Sequence, residues 1–217
     1  MRETPAGLGV IVTAGVLATF LACGLPARAF TVNITAANPK AIYLQVGVGT
    51  FTGNYNAGGT PGTNTTINTV SVTVLAAAVG TGAAQAMTTN SASGTSFYDG
   101  FAFCNLPSQL YIGGFYRQTG ANTGSATATV TATSPVNLTN AGGNTIPFTQ
   151  ISWTSSGNSD TGAQPFPAGT FVGGTQTIGT INRNQWAESC HTFSYANTNF
   201  RAAGTYTGRV TYTLSAP

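Results

Sequence analysis

Few side chains in this sequence can do chemistry, and three of them stand together: Glu188, Cys190 and His191. A carboxyl group next to an imidazole invites acid–base or triad readings, but each of those needs partners. A Ser-His-Asp arrangement around His191 would need a nucleophile presented on a tight elbow, and no Gly-x-Ser-x-Gly run is present. A glycosidase pair would need two carboxyl groups facing each other across roughly 5–9 Å. The other acids are Asp99 and Asp160, together with Glu3 near the start. His191 is the only histidine and there is no Cys-x-x-Cys, so the ligand set is too thin for zinc. P-loop, dinucleotide and EF-hand signatures are absent. The reading is therefore no enzyme, no cofactor and no metal site, with Glu188 and His191 as locally hydrogen-bonded structural residues.

Sugar recognition is the other chemistry the residue types allow. Aromatic faces stack on sugar C–H surfaces while neighbouring amides read hydroxyls. Tyr55 between Asn54 and Asn56, Tyr98 beside Asp99, and Trp186 near Asn184 are the candidates, with Tyr55 expected to be the most exposed. Trp153 and Trp186 stand in strand-like surroundings, where such rings more often belong to a core.

The elements that must position these residues are strands. Charged residues make up 5% of 217, far below the ~25% usual for soluble domains. In their place stand 38 threonines, 28 glycines and 17 asparagines. A net charge of +3 is too small for a nucleic-acid binder, and the scarcity of helix-favouring charged residues argues against a bundle. Alternation with period two recurs in residues 70–74, 126–133 and 205–215, setting small apolar side chains on one face and hydroxyls on the other. Further strands are expected at 42–48, 98–104, 110–117, 148–154, 171–181 and 190–195. Glycine- and asparagine-rich turns separate them. About ten strands in one domain read as an all-β, immunoglobulin-like antiparallel sandwich.

Residues 1–29 read as an export signal. Arg2 precedes an uncharged apolar run over 8–23, and Ala27-Arg28-Ala29 is a small-x-small cleavage site. Cleavage before Phe30 leaves no stable membrane span and removes Cys23. Cys104 and Cys190 remain, an even pair expected to form one disulfide in an oxidising compartment.

The two ends of the remaining chain carry the most specific pattern. Phe30, Val32, Ile34 and Ala36 alternate with Thr31, Asn33 and Thr35, and Asn38-Pro39 then interrupts the run. At the other end Gly204, Tyr206, Val210, Tyr212 and Leu214 share one face of an expected strand, opposite a row of threonines. A short terminal strand can pair within its own domain or add to the edge of a neighbour. Addition to a different surface on each neighbour builds an open head-to-tail filament.

With these ends, the export signal and the cysteine pair, the chain resembles a chaperone–usher-type pilin subunit, of the archaic or spore-coat-protein-U-like branch. The resemblance implies an incomplete sandwich of residues 39–217, completed by the donated arm of residues 30–38. It implies further copies of the chain as partners, with a periplasmic chaperone and an outer-membrane usher that engage the C-terminal strand. It places the product in a cell-surface filament reached through the periplasm. A secreted carbohydrate-binding sandwich is the alternative.

Overall fold

The computed structural model describes residues 31–53, 55, 60–120, 127–157 and 162–217. The export segment, Phe30, Asn54, Asn56 and Asp160 lie outside the described residues. Strands β1 (Thr31–Asn33) and β2 (Ala41–Val46) come first. Five two-residue strands follow: β3 (Phe51–Thr52), β4 (Thr60–Pro61), β5 (Val70–Ser71), β6 (Gln85–Ala86) and β7 (Thr88–Thr89). The longer strands are β8 (Leu110–Arg117), β9 (Thr127–Thr133), β12 (Ile151–Ser156), β14 (Thr175–Asn182), β15 (Gln185–Tyr195) and β16 (Thr211–Ser215). The hairpin β10 (Asn137–Thr139) and β11 (Thr145–Pro147), and the short β13 (Gly169–Thr170), complete the order.

Two antiparallel sheets form the sandwich. The larger has the order β13-β12-β15-β8-β2, and the smaller has β14-β9-β16. Between them lies one core: Ile112, Ala128, Val130, Ala132, Ile151, Trp153, Ile178, Ile181 and Phe193 are buried there. Alternation explains the small sheet directly, since Ala128, Val130 and Ala132 of β9 are fully buried while the threonines between them face outward. The all-β sandwich expected from the sequence is what forms.

The larger sheet is covered on its other face too. Every residue of β8 is buried, and so is the run Trp186–His191 of β15. Buried on that second face are Ile34, Tyr43, Tyr55, Phe103, Tyr111, Phe115 and Trp186. The covering layer comes from the connection between β2 and β8, which folds back over the sheet instead of extending the sandwich. Cys104 and Cys190 staple it down, with Cα atoms 5.5 Å apart and 86 residues between them.

Several strand expectations require correction. Residues 98–104 form no strand; they belong to the covering layer, where Thr95 and Ala102 make a single bridge. Only Val70 and Ser71 of the 70–74 run are paired as β5. Residues 148–150 form a 3-10 turn before β12. The C-terminal strand begins at Thr211 and not at Thr205: Gly204 sits at φ +151°, and Thr207 bridges Thr139 on β10 instead of β9.

Because the disulfide ties the covering layer to the central strand across a long loop, its loss should be costly. The double substitution Cys104→Ala/Cys190→Ala is expected to lower unfolding free energy by about 3–5 kcal/mol in urea titrations. An unchanged midpoint would show that the layer is held by packing alone.

Candidate functional site

β15 is paired along both edges by four different strands. Over its first half, Gln185–Ser189 pairs with β8 on one edge and Gln185–Ala187 pairs with β1 on the other. Over its second half, Cys190–Tyr195 pairs with β12, and Ser194 and Tyr195 pair with β6. β1 therefore continues the line of β12 and fills the remaining slot beside Trp186.

The arm lies in its own domain. Thr31 is opposite Ala187, Val32 opposite Trp186 and Asn33 opposite Gln185, and Ile34 N–H donates to the Asn184 carbonyl at 2.8 Å. Ile34 is buried in the aromatic layer with half-buried Val32 packed beside it, while Ala36 is half-buried. Arg117, itself only 2% exposed, donates from Nε to the Thr35 carbonyl at 2.6 Å and from its terminal nitrogen to Ala36 at 3.4 Å. Its guanidinium carbon also lies 5.8 Å from the centre of the Phe115 ring, a cation–π contact that helps shelter the charge. Gln185 Nε2 donates to Asn33 Oδ1 at 3.1 Å on the exposed side. The alternation of the arm thus serves a cis pairing in the single chain.

At the C-terminus, Tyr206, Val210, Tyr212 and Leu214 pack half-buried against the sandwich core, and β16 pairs with β9. Gly204 departs from that row and lies against Asn140. Lys40 Nζ, on the connector after the arm, donates to the carbonyls of Ala216 and Pro217 at 3.0 and 2.7 Å. The connector after the arm therefore meets the C-terminal residues.

Of the aromatic candidates for sugar binding, Trp186 lies in a core as its surroundings suggested, and Tyr55 departs from the expected exposure. Trp186 is 0% exposed and Tyr55 8%, their ring centres 4.6 Å apart. Tyr98 is half-buried, 6.4 Å from Trp186. The Asn184 side chain accepts from Gln118 N–H at 2.9 Å instead of facing a ligand. A glycine-rich loop signalled exposure for Tyr55, but the rings of Tyr43, Phe51 and Trp186 offered it more apolar area than water-facing loops do.

Glu188 and His191 do not meet, because an odd spacing of three along a strand sends them to opposite faces. Glu188 is fully buried in the covering layer. Its Oε2 accepts from Tyr111 Oη at 2.5 Å and from Trp186 Nε1 at 3.0 Å, while Oε1 is buried without a partner. Gly113, opposite Glu188, leaves room for this contact: a Cβ there would lie 2.3 Å from the Tyr111 hydroxyl. Burial raises the Glu188 pKa; donors on Tyr111, Ser96 and Trp186 pull it back, and Asp99 adds to the rise. His191 faces the sandwich core, 5.7 Å from the Trp153 ring. Its Nε2 is 2.9 Å from the Phe166 carbonyl, which can only accept, so the proton sits on Nε2. Burial pushes the imidazole down to about 4, against a smaller raising effect of that hydrogen bond. Asp99 accepts from Phe101 N–H at 3.0 Å in a turn. Among the described residues no group of three or more His, Cys, Asp or Glu could hold a metal, and no helix is long and apolar enough to cross a membrane.

The sequence reading missed Tyr111, Arg117 and Gly113. The signal available was the uninterrupted apolar run of β8 with a Gly-Gly in its middle, which marks a strand covered on both faces with one crowded contact. The chain matches no family model, no curated protein and no solved structure.

The two buried titratable groups give opposite pH dependences. His191 is held neutral, so below 6.5 the unfolded chain takes up a proton that the folded chain refuses. Stability should fall by about 3 kcal/mol as pH drops from 6.5 towards 4. Glu188 resists ionising, so its burial costs stability as pH rises above 4.5, until the folded carboxyl itself ionises. Glu188→Gln should therefore gain stability relative to the native chain as pH is raised from 4.5, and the difference should then level off. Urea midpoints measured across pH check both slopes; a Glu188→Gln difference independent of pH would remove Glu188 as a cause.

Proposed function

We propose that the chain is a structural subunit of an extracellular filament, in which the arm of one copy fills the β15 slot of the next. The supporting observation is the pairing of β1 with Gln185–Ala187. The slot borders a strand that is buried from Trp186 to His191, so an empty slot would leave backbone donors and acceptors of a core strand unpaired. Any copy of residues 31–36 can satisfy it equally well, because exchange between identical chains preserves the contacts. The connector between Ala37 and Lys40 is the segment that would change path. Head-to-tail exchange of this kind builds a fibre when the rotation between neighbours leaves the ring open.

A disulfide-stapled domain with few charges suits life outside the cytoplasm. Export through the periplasm, with a chaperone and an outer-membrane usher, belongs to the same reading by the pilin resemblance. The C-terminal row of Tyr206, Val210, Tyr212 and Leu214 would be the face such a chaperone holds before assembly. The carbohydrate-binding alternative loses its principal residues, since Trp186 and Tyr55 lie within the aromatic layer.

Deleting residues 30–36 should abolish filaments in negative-stain electron microscopy. It should also lower the thermal midpoint of the monomer, and a synthetic peptide of residues 30–36 should restore it. Filaments of normal length from the deleted chain would contradict the proposal, as would a peptide that gives no recovery.

A further inference from the structure

The outward face of the smaller sheet carries a two-dimensional lattice of hydroxyls. Along β9, Thr127, Thr129, Thr131 and Thr133 face away from the core. Pairing on both sides completes the rows: Thr133 stands between Thr175 and Thr211, Thr131 between Thr177 and Thr213, and Thr129 between Thr180 and Ser215. A bulge in β14 preserves this order. It falls between Thr177 and Gly179; Ile178 turns into the core and Thr180 returns to the outward face opposite Thr129. The members on β14 and β16 are exposed, and the Thr133 and Thr175 hydroxyls hydrogen-bond across strands at 2.8 Å.

Sheet geometry sets a backbone repeat of about 4.8 Å between strands and about 6.7 Å between rows, within which the Thr133 and Thr175 hydroxyls close to 2.8 Å. No charged or aromatic side chain stands within the nine positions, and Arg209 lies beyond the end of β16. The composition and size of the face decide between partners. Phosphates and acidic polymers need cations, and glycan platforms need aromatic faces. Three strands of five residues cover on the order of 250 Å², well short of the roughly 800 Å² per partner that a stable dimer buries. A neutral, regularly spaced hydrogen-bonding surface remains.

We propose that this face binds ice. Hydroxyls in two repeating directions can take the place of water molecules in a crystal plane. The threonine methyls between them restrict the orientation of first-shell water. Charge neutrality is part of the fit, because a strongly hydrated ion would hold water in a geometry foreign to the lattice. The proposal is independent of polymerisation, although a filament would repeat the face along its length.

The test uses the purified native chain with Thr177→Lys/Thr213→Lys, which flanks Thr131, and Thr65→Lys as a control on an exposed residue outside the lattice. Incorporation into a slowly grown ice hemisphere and thermal hysteresis are the readouts, and circular dichroism confirms that each variant is folded. The native chain and Thr65→Lys should enter ice and depress its growth temperature; the lattice variant should be excluded and lose hysteresis. Exclusion of the native chain, or full activity in a folded lattice variant, would overturn the proposal. Retention on crystalline cellulose or chitin without ice activity would also overturn it and assign the face to polysaccharide. A dimer that dissociates on the lattice substitution, again without ice activity, would assign it to self-association.

Discussion

One strand is paired over most of its length on both edges and covered on both faces, and that strand is β15. Trp186, Glu188, Ser189 and Cys190 are essentially inaccessible to water. A backbone in such a place has no solvent to satisfy its donors and acceptors, so four strands converge on it. β8 and β12 are long and remain with the body of the sandwich. β6 arrives with the covering layer, which the disulfide holds. β1 alone comes from the beginning of the described chain, and it is joined to the rest by a short connector. The feature that gives the domain a separable piece is therefore the same one that makes the piece necessary.

The low charge acquires a clearer meaning from this arrangement. Two charged groups, Arg117 and Glu188, are spent inside the fold. Arg117 is sheltered by carbonyls of the arm and the Phe115 ring, and Glu188 by Tyr111 and Trp186. Arg117 ties the arm to β8, and Glu188 links β8 to β15 beneath the covering layer. Elsewhere threonine takes the solvent face of strands, where a β-branched hydroxyl side chain both favours the extended backbone and remains hydrated. On the smaller sheet this substitution of hydroxyls for ions is regular in two directions.

Much of the sandwich was legible because its strands alternate. Residues 126–133 announced β9 nearly to the residue, and 110–117 matched β8. The disulfide followed from an even cysteine count. The covering layer was not legible, because residues 47–109 contain few paired segments longer than two residues and bury their rings from turns and loops. That is why Tyr55 was expected in solvent. Trp186 lies in a core, as its strand-like surroundings suggested, but on the second face of the sheet, which leaves no period-two signature when the strand is apolar on both sides. The arm was legible as a strand, but its partner was not, since three residues of alternation specify a face and not which copy supplies the edge.

Cross-linking at Asn33 and Gln185 tests the exchange most directly. These two are register partners in the slot, and their side chains already touch on the exposed side. A chain carrying both Asn33→Cys and Gln185→Cys, oxidised as a monomer, should lock its arm in place and fail to polymerise. A mixture of the two single variants, assembled and then oxidised, should give covalent dimers between chains. Filaments from the locked monomer, or no inter-chain bond in assembled single variants, would contradict the account.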